Sequence, residues 1–220
     1  MITNRFISYA CVFSLSSVTG SAFATMTYLD EASFTSALGG ATTTLESFEE
    51  PPVDNSSPLV FPTVEVSCDG SEWCSGFFGT STVMPTDGSF GVYFSTPDSI
   101  TFTFSSPITA FAIDVGDLGT RGATDFSATL SNGNSATLFT GFTGTPDNQA
   151  FVGLIDTTEF TSITFQGSAP NDGIYFDSMQ TALVTAVPEP HTYALLLAGL
   201  GLLGMTHFQK RQTGTAAIQQ

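Results

Sequence analysis

From Ile100 onward, apolar and polar side chains alternate in short runs. Ile100, Phe102 and Phe104 are separated by Thr101 and Thr103, the period of a strand with one buried face. Phe111, Ile113 and Val115 repeat that period, as do Phe126, Ala128 and Leu130. Residues 151–155, 163–165 and 174–179 supply three more strands. Clusters of Gly, Pro, Asp and Asn separate the runs roughly every ten residues. Ser131-Asn132-Gly133-Asn134 predicts a hairpin turn, with Asn-Gly supplying the positive φ angles. One helix is predicted, over residues 28–38, with Asp30 or Thr27 near its start. The pattern predicts an all-β fold, an antiparallel β-sandwich of jelly-roll-like form.

The two ends follow other rules. Arg5 precedes an uncharged apolar run over residues 6–18, and Ala22-Phe23-Ala24 gives the small-x-small site that signal peptidase needs. Residues 1–24 therefore read as a signal peptide, and the mature chain starts at Thr25. Cys11 lies inside the apolar run behind Ser8-Tyr9-Ala10, which does not make a lipoprotein cleavage site. At the other end, Pro188, Glu189 and Pro190 form a rigid turn before an apolar span at residues 193–208, with Lys210 and Arg211 beyond it. As a single helix that span is about 24 Å long, against about 30 Å of hydrocarbon. Snorkelling of Lys210 and Arg211 and local thinning of the bilayer cover the difference. The basic end stays cytoplasmic and the preceding domain lies outside.

The order of Pro188-Glu189-Pro190, apolar span and basic end resembles the PEP-CTERM sorting tail, also called the ice-binding protein C-terminal domain. The resemblance covers residues 187–211, and the name is no evidence of ice binding. It implies recognition of Pro188, Glu189 and Pro190 by an exosortase in the inner membrane of a Gram-negative, exopolysaccharide-producing bacterium. It further implies that the tail is a transient anchor, after which the domain is released or attached at the surface. The expected organisation is a signal peptide at 1–24, a secreted sandwich at 25–187, the sorting tail at 188–211 and a disordered extension at 212–220.

Composition narrows what the middle can do. Twenty acidic residues face four basic ones, a formal charge of −16, yet 21 residues are Phe. That aromatic content excludes a disordered acidic chain, and the lack of Lys and Arg excludes nucleic acid as a partner. Setting aside the ends removes Arg5, Lys210 and Arg211 from the basic residues and Glu189 from the acidic ones. Arg121 is then the single cation against 19 carboxylates, a charge of −18, with no His and no Lys in residues 25–187. A Ser or Cys nucleophile has no imidazole base there. No lysine can form a Schiff base, and no histidine can hold zinc or iron. A carboxylate-pair glycosidase survives this test, since it needs only Asp and Glu. The expectation is a domain that is not an enzyme and requires no cofactor.

Cys68 and Cys74 are the only cysteines of the mature chain, with five residues between them in Cys68-Asp-Gly-Ser-Glu-Trp-Cys74. In an exported protein such a pair predicts a disulfide closing a short loop, contributing about 2 kcal/mol. Trp73, Phe77 and Phe78 beside that loop, and Tyr93, are the candidate glycan contacts. Packing is the alternative for each, as for most of the Phe residues.

The middle also resembles the β-sandwich ectodomains of proteins with this tail, through residues 108–117 and 173–180. A second resemblance is to jelly-roll carbohydrate-binding modules, through Ser47-Phe48-Glu49 and residues 174–177. This one implies a structural Ca²⁺ held by Glu49 and Asp177, with backbone carbonyls completing the six to eight oxygens that calcium prefers. The alternative is that both are ordinary carboxylates on solvated faces. The functional expectation is an exported, exosortase-sorted surface or matrix protein associated with extracellular polysaccharide or biofilm. A carbohydrate-binding module is the alternative, and a glycosidase the third reading.

Overall fold

The computed structural model describes residues 25–49, 58–69, 85–184 and 199–200, and the backbone of 75–78. Among the described residues up to 184, eleven strands and one helix follow in chain order. They are β1 (Met26–Tyr28), α1 (Glu31–Ala37), β2 (Thr43–Glu46), β3 (Leu59–Val60), β4 (Val64–Asp69) and β5 (Ser75–Phe78). Next come β6 (Phe90–Ser95), β7 (Ser99–Gly116), β8 (Thr124–Leu130), β9 (Ser135–Phe142), β10 (Gln149–Gly167) and β11 (Gly173–Ala182). Every pairing among these described strands is antiparallel.

The pairs fall into two layers because β7 and β10 are long enough to take part in both. Early in β7, Phe102 faces Val66 of β4 on one side and Ile163 of β10 on the other, and Ile163 in turn faces Leu130 of β8. Late in β7, Ile113 faces Val152 of β10, while Val115 faces Phe176 of β11. Layer one is thus β3-β4-β7-β10-β8-β9, and layer two is β1-β10-β7-β11 with β6, β5 and β2 beyond β11. Exposed Ser105, Ser106 and Pro107 mark the crossover on β7. On β10 the register breaks between Ile155 and Phe160.

The alternation of Phe with Thr gives each layer one apolar face, and those faces meet. Phe102 of layer one packs its ring against Phe176 of layer two at 5.5 Å between centroids, and against Phe165, Phe111 and Phe48 at 5.9, 6.0 and 6.5 Å. Burial of this Phe lattice is what drives the layers together.

Layer two is also covered from outside by α1. The Asp30 side chain accepts the Ser33 N–H at 2.8 Å and starts the helix. Gly39 and Gly40, at φ 62° and 87°, end it. Phe34 and Leu38 lie on Ala110, Ala112, Ile155 and Ala182. A Cβ on Gly153 would come within 2.6 Å of the Phe34 ring, so that glycine makes room for the helix.

Several expectations change. The helix runs from Glu31 to Ala37, not 28–38, because Tyr28 pairs with Gly153 as a strand residue before the cap begins. The two runs before and after Pro107 are one strand, as are 151–155 and 163–165. Ser47-Phe48-Glu49 is not a strand: β2 ends at Glu46, and Phe48 turns into the core at φ 56°. In the 131–134 turn only Gly133 takes a positive φ, 90°. Gly133 N–H bonds to Leu130 C=O and Leu130 N–H to Asn134 C=O, giving a three-residue hairpin loop.

Candidate functional site

Beyond α1, the outer face of layer two is built differently from the rest of the sheet. Val92, Phe94, Ile174 and Phe176 point into the core and are fully buried. Tyr93 and Tyr175, between them on β6 and β11, point the other way and are half-buried. They are register partners, with ring centroids 5.0 Å apart and planes tilted by 45°. A Cβ on Gly173 would lie 2.7 Å from the Tyr93 ring, so the absent side chain lets that ring lie across β11. Next to Tyr175 come Gly116 of β7 and then exposed Gln149 of β10.

One rung further along, Asp114 of β7 faces Asp177 of β11. Burial raises the pKa of both, against a hydrogen bond from Thr86 to each, and Asp177 is pushed up to about 6. Asp177 is fully buried. Its Oδ2 accepts the Asp87 N–H at 2.8 Å and the Thr86 hydroxyl at 3.3 Å, while its Oδ1 accepts the Ser178 N–H at 2.7 Å. Asp117, at φ 59°, accepts the Asp147 N–H at 2.7 Å. Burial raises the Tyr175 hydroxyl as well, with Tyr93 and Asp117 adding to the effect.

The same device recurs around the domain: a carboxylate holds a loop by its backbone N–H groups. Asp172, fully buried, accepts the N–H of Gly119 at 2.7 Å, the N–H of Arg121 at 3.1 Å and the Thr120 hydroxyl at 2.9 Å. Asp156 accepts from Thr25, Asn134 and the Thr158 N–H. Burial alone would raise the Asp156 carboxyl, but these donors hold it below its usual range. In a domain with a single cation, backbone amides take the place of ion pairs.

The sequence-predicted residues distribute as follows. Glu49 Oε1 accepts the N–H groups of Ser89 and Phe90 at 2.6 and 2.9 Å. Glu49 and Asp177 thus grip the same 86–90 segment, each through its own backbone donors. Among the described residues, no group of three or more His, Cys, Asp or Glu is placed to hold a metal ion. Tyr93 lies on the sheet face just described. Its partner Tyr175 is brought to it by the β6–β11 register, which no local pattern in the sequence shows.

Phe77 and Phe78 lie on β5, opposite Gly91 and Phe90. Cys68 is on β4 opposite Ile100, packed against the core, while Trp73 and Cys74 lie outside the described residues. The signal peptide and Pro188, Glu189 and Pro190 also lie outside them. Of the 193–208 span only Gly199 and Leu200 are described, as helix. Among the described residues no helix is long and apolar enough to cross a membrane.

Solved structures similar to this chain have low identity. The CBM22-1 xylan-binding domain from Paenibacillus barcinonensis Xyn10C is 11% identical, with 67% of this chain and 97% of that one covered at a TM-score of 0.43. The K2 cleaved adhesin domain of Lys-gingipain is 12% identical, covering 64% and 100% at 0.42. A family 29 carbohydrate-binding module is 14% identical, covering 64% and 92% at 0.39. Among curated proteins none matches the sequence. The finding that bears on destination comes from the end of the chain: residues 186–211 match the model of the PEP-CTERM protein-sorting motif, so this is an exported protein carrying a PEP-CTERM sorting tail.

Proposed function

We propose that this protein is a non-catalytic, jelly-roll-like β-sandwich that works at the cell surface or in the extracellular matrix, in contact with exopolysaccharide. The observation that carries the reading is the sorting motif at residues 186–211 joined to a domain with no His or Lys. The buried carboxylates, which a hydrolase would need free, are spent on holding loops. Asp114 and Asp177 adjoin each other as a glycosidase pair would, but both Asp177 oxygens are occupied and the side chain is fully buried.

In this reading signal peptidase removes residues 1–24. An exosortase in the inner membrane then recognises Pro188, Glu189 and Pro190 while 193–208 holds the chain in the bilayer. Changing these three residues to alanine is expected to leave the protein in the inner-membrane fraction, while the wild type reaches the surface or medium. Normal release of the variant would reduce the motif to a linker. The second reading, a carbohydrate-binding module, is favoured by the Tyr93–Tyr175 pair. A calcium ion at Glu49 and Asp177 is optional to both readings.

A further inference from the structure

We infer that the Tyr93–Tyr175 pair is the floor of a binding trough for uncharged sugar units, running across the outer face of layer two between α1 and the 117–122 and 143–148 loops. The inference rests on the polysaccharide reading above and adds the place and the class of sugar.

The choice of aromatic is the first argument. Among the described residues every aromatic side chain buried in the core is Phe, whereas residues 25–187 contain only three Tyr. Two of those three face each other here. A buried wall needs no hydroxyl, and Phe serves it everywhere else; Tyr is used where one end of the ring is wet. The second argument is relief. Gly173 lets the Tyr93 ring lie across the strand, and buried Gly116 sits between Tyr175 and Gln149 in the ladder. The result is a low platform of two rings, in place of the even carpet of side chains found on an ordinary solvated sheet.

Chemistry selects the ligand. One face of a pyranose ring is lined with C–H bonds and fits the electron-rich face of a tyrosine ring. Its hydroxyl rim needs acceptors, which Asp114, Asp117 and Gln149 supply around the platform; hydrogen bonds to ionised acceptors are the stronger kind. No Lys lies in the domain, and its one Arg, Arg121, is outweighed by 19 carboxylates. A uronic acid or sulfated sugar would bring a further negative charge into a surface of carboxylates, with Arg121 of the 117–122 loop as the single cation to set against them. The trough therefore suits neutral units of a polymer.

The test uses the full chain purified in detergent. The probes are the neutral and acidic fractions of the producing cells' own extracellular polysaccharide, separated by anion exchange, with binding followed by affinity electrophoresis. The neutral fraction is expected to retard the wild type. Tyr93→Ala and Tyr175→Ala should each weaken retardation about tenfold or more at unchanged Tm. Tyr93→Phe and Tyr175→Phe keep the rings and the fold and should stay within about threefold. Gly173→Ala, which displaces the Tyr93 ring, should weaken binding as the alanine variants do.

Preference for the acidic fraction would overturn the charge argument. Retardation by the neutral fraction that all the variants share would overturn the trough and leave the polysaccharide reading standing. No retardation by either fraction would remove both.

Discussion

Residues 99–104 and 108–116 belong to one strand, β7, yet they meet different surroundings. In the first stretch every second residue is buried: Ile100, Phe102 and Phe104 face the core while Thr101 and Thr103 face outward. Thr101 even spends its hydroxyl on Thr164 of β10, at 2.8 Å. In the second stretch burial is nearly continuous, because α1 covers the outer positions Ala110 and Ala112. Where the helix stops, the outer positions become Asp114 and Gly116, and the polar face of the site begins. A sheet position is thus read less from its strand than from what lies over it. Threonine marks water, alanine marks a helix, and a half-buried carboxylate marks the border.

That contrast can be broken at its inner side first. Phe102→Ala removes the ring that joins both layers and should cost about 3–5 kcal/mol in urea unfolding, whereas Thr103→Ala on the outer side should stay within about 0.5 kcal/mol.

Next comes the border. An unfolded aspartate titrates near 3.9, whereas Asp177 in the fold titrates at about 6. Between these values the folded state holds more protons, so stability falls as pH rises through that window and is level above it. The wild type should therefore gain on the order of 2–3 kcal/mol between pH 7 and pH 4 relative to Asp177→Asn. Asp114, facing it, acts with the same sign and remains in both proteins. Asp156, held low, contributes the opposite trend in both, at more acid pH.

A smaller effect belongs to the strand beside the first stretch. Cys68 faces Ile100 there, and the proposed bond to Cys74 predicts a loss of about 2 kcal/mol on reduction or in Cys68→Ser. Thiol labelling of the unreduced, unfolded chain should find no reactive cysteine; two labelled thiols would remove the bond.

The alternating stretches were legible because period two survives in any single sequence. Even β4 shows it, with Val64 and Val66 around Glu65, over too short a run to stand apart from a loop. Two-residue β3 and β9, with Leu138 as its one buried residue, carry too little pattern to stand out. The fusion of two runs into β7 was hidden by Pro107, which reads as a break but sits at the crossover between layers. Tyr93 and Tyr175 each sit between two core residues, Val92 and Phe94 for one and Ile174 and Phe176 for the other, so neither strand marks the pair by itself. They are 82 positions apart in the chain, and only the β6–β11 register brings the rings together. The clamps were illegible for a related reason. A carboxylate that holds backbone N–H groups leaves no complementary side chain in the sequence to betray it.

The register of β11 has a mechanical consequence. The chain leaves the domain from this strand toward the sorting tail, and Val184 is fastened just beyond it through its N–H to the Thr109 hydroxyl at 2.7 Å. Tyr175 lies near the opposite end of the same strand. β7 flanks β11 on one side, and β6 and then β2 on the other. Antiparallel bonds lie perpendicular to the strands, so tension between the platform and the tail would run along β11 as shear across both ladders. Rungs under shear share the load, whereas a peeled edge strand gives them up one at a time. The strand that presents the tyrosine is also the one best placed to hold against a pull.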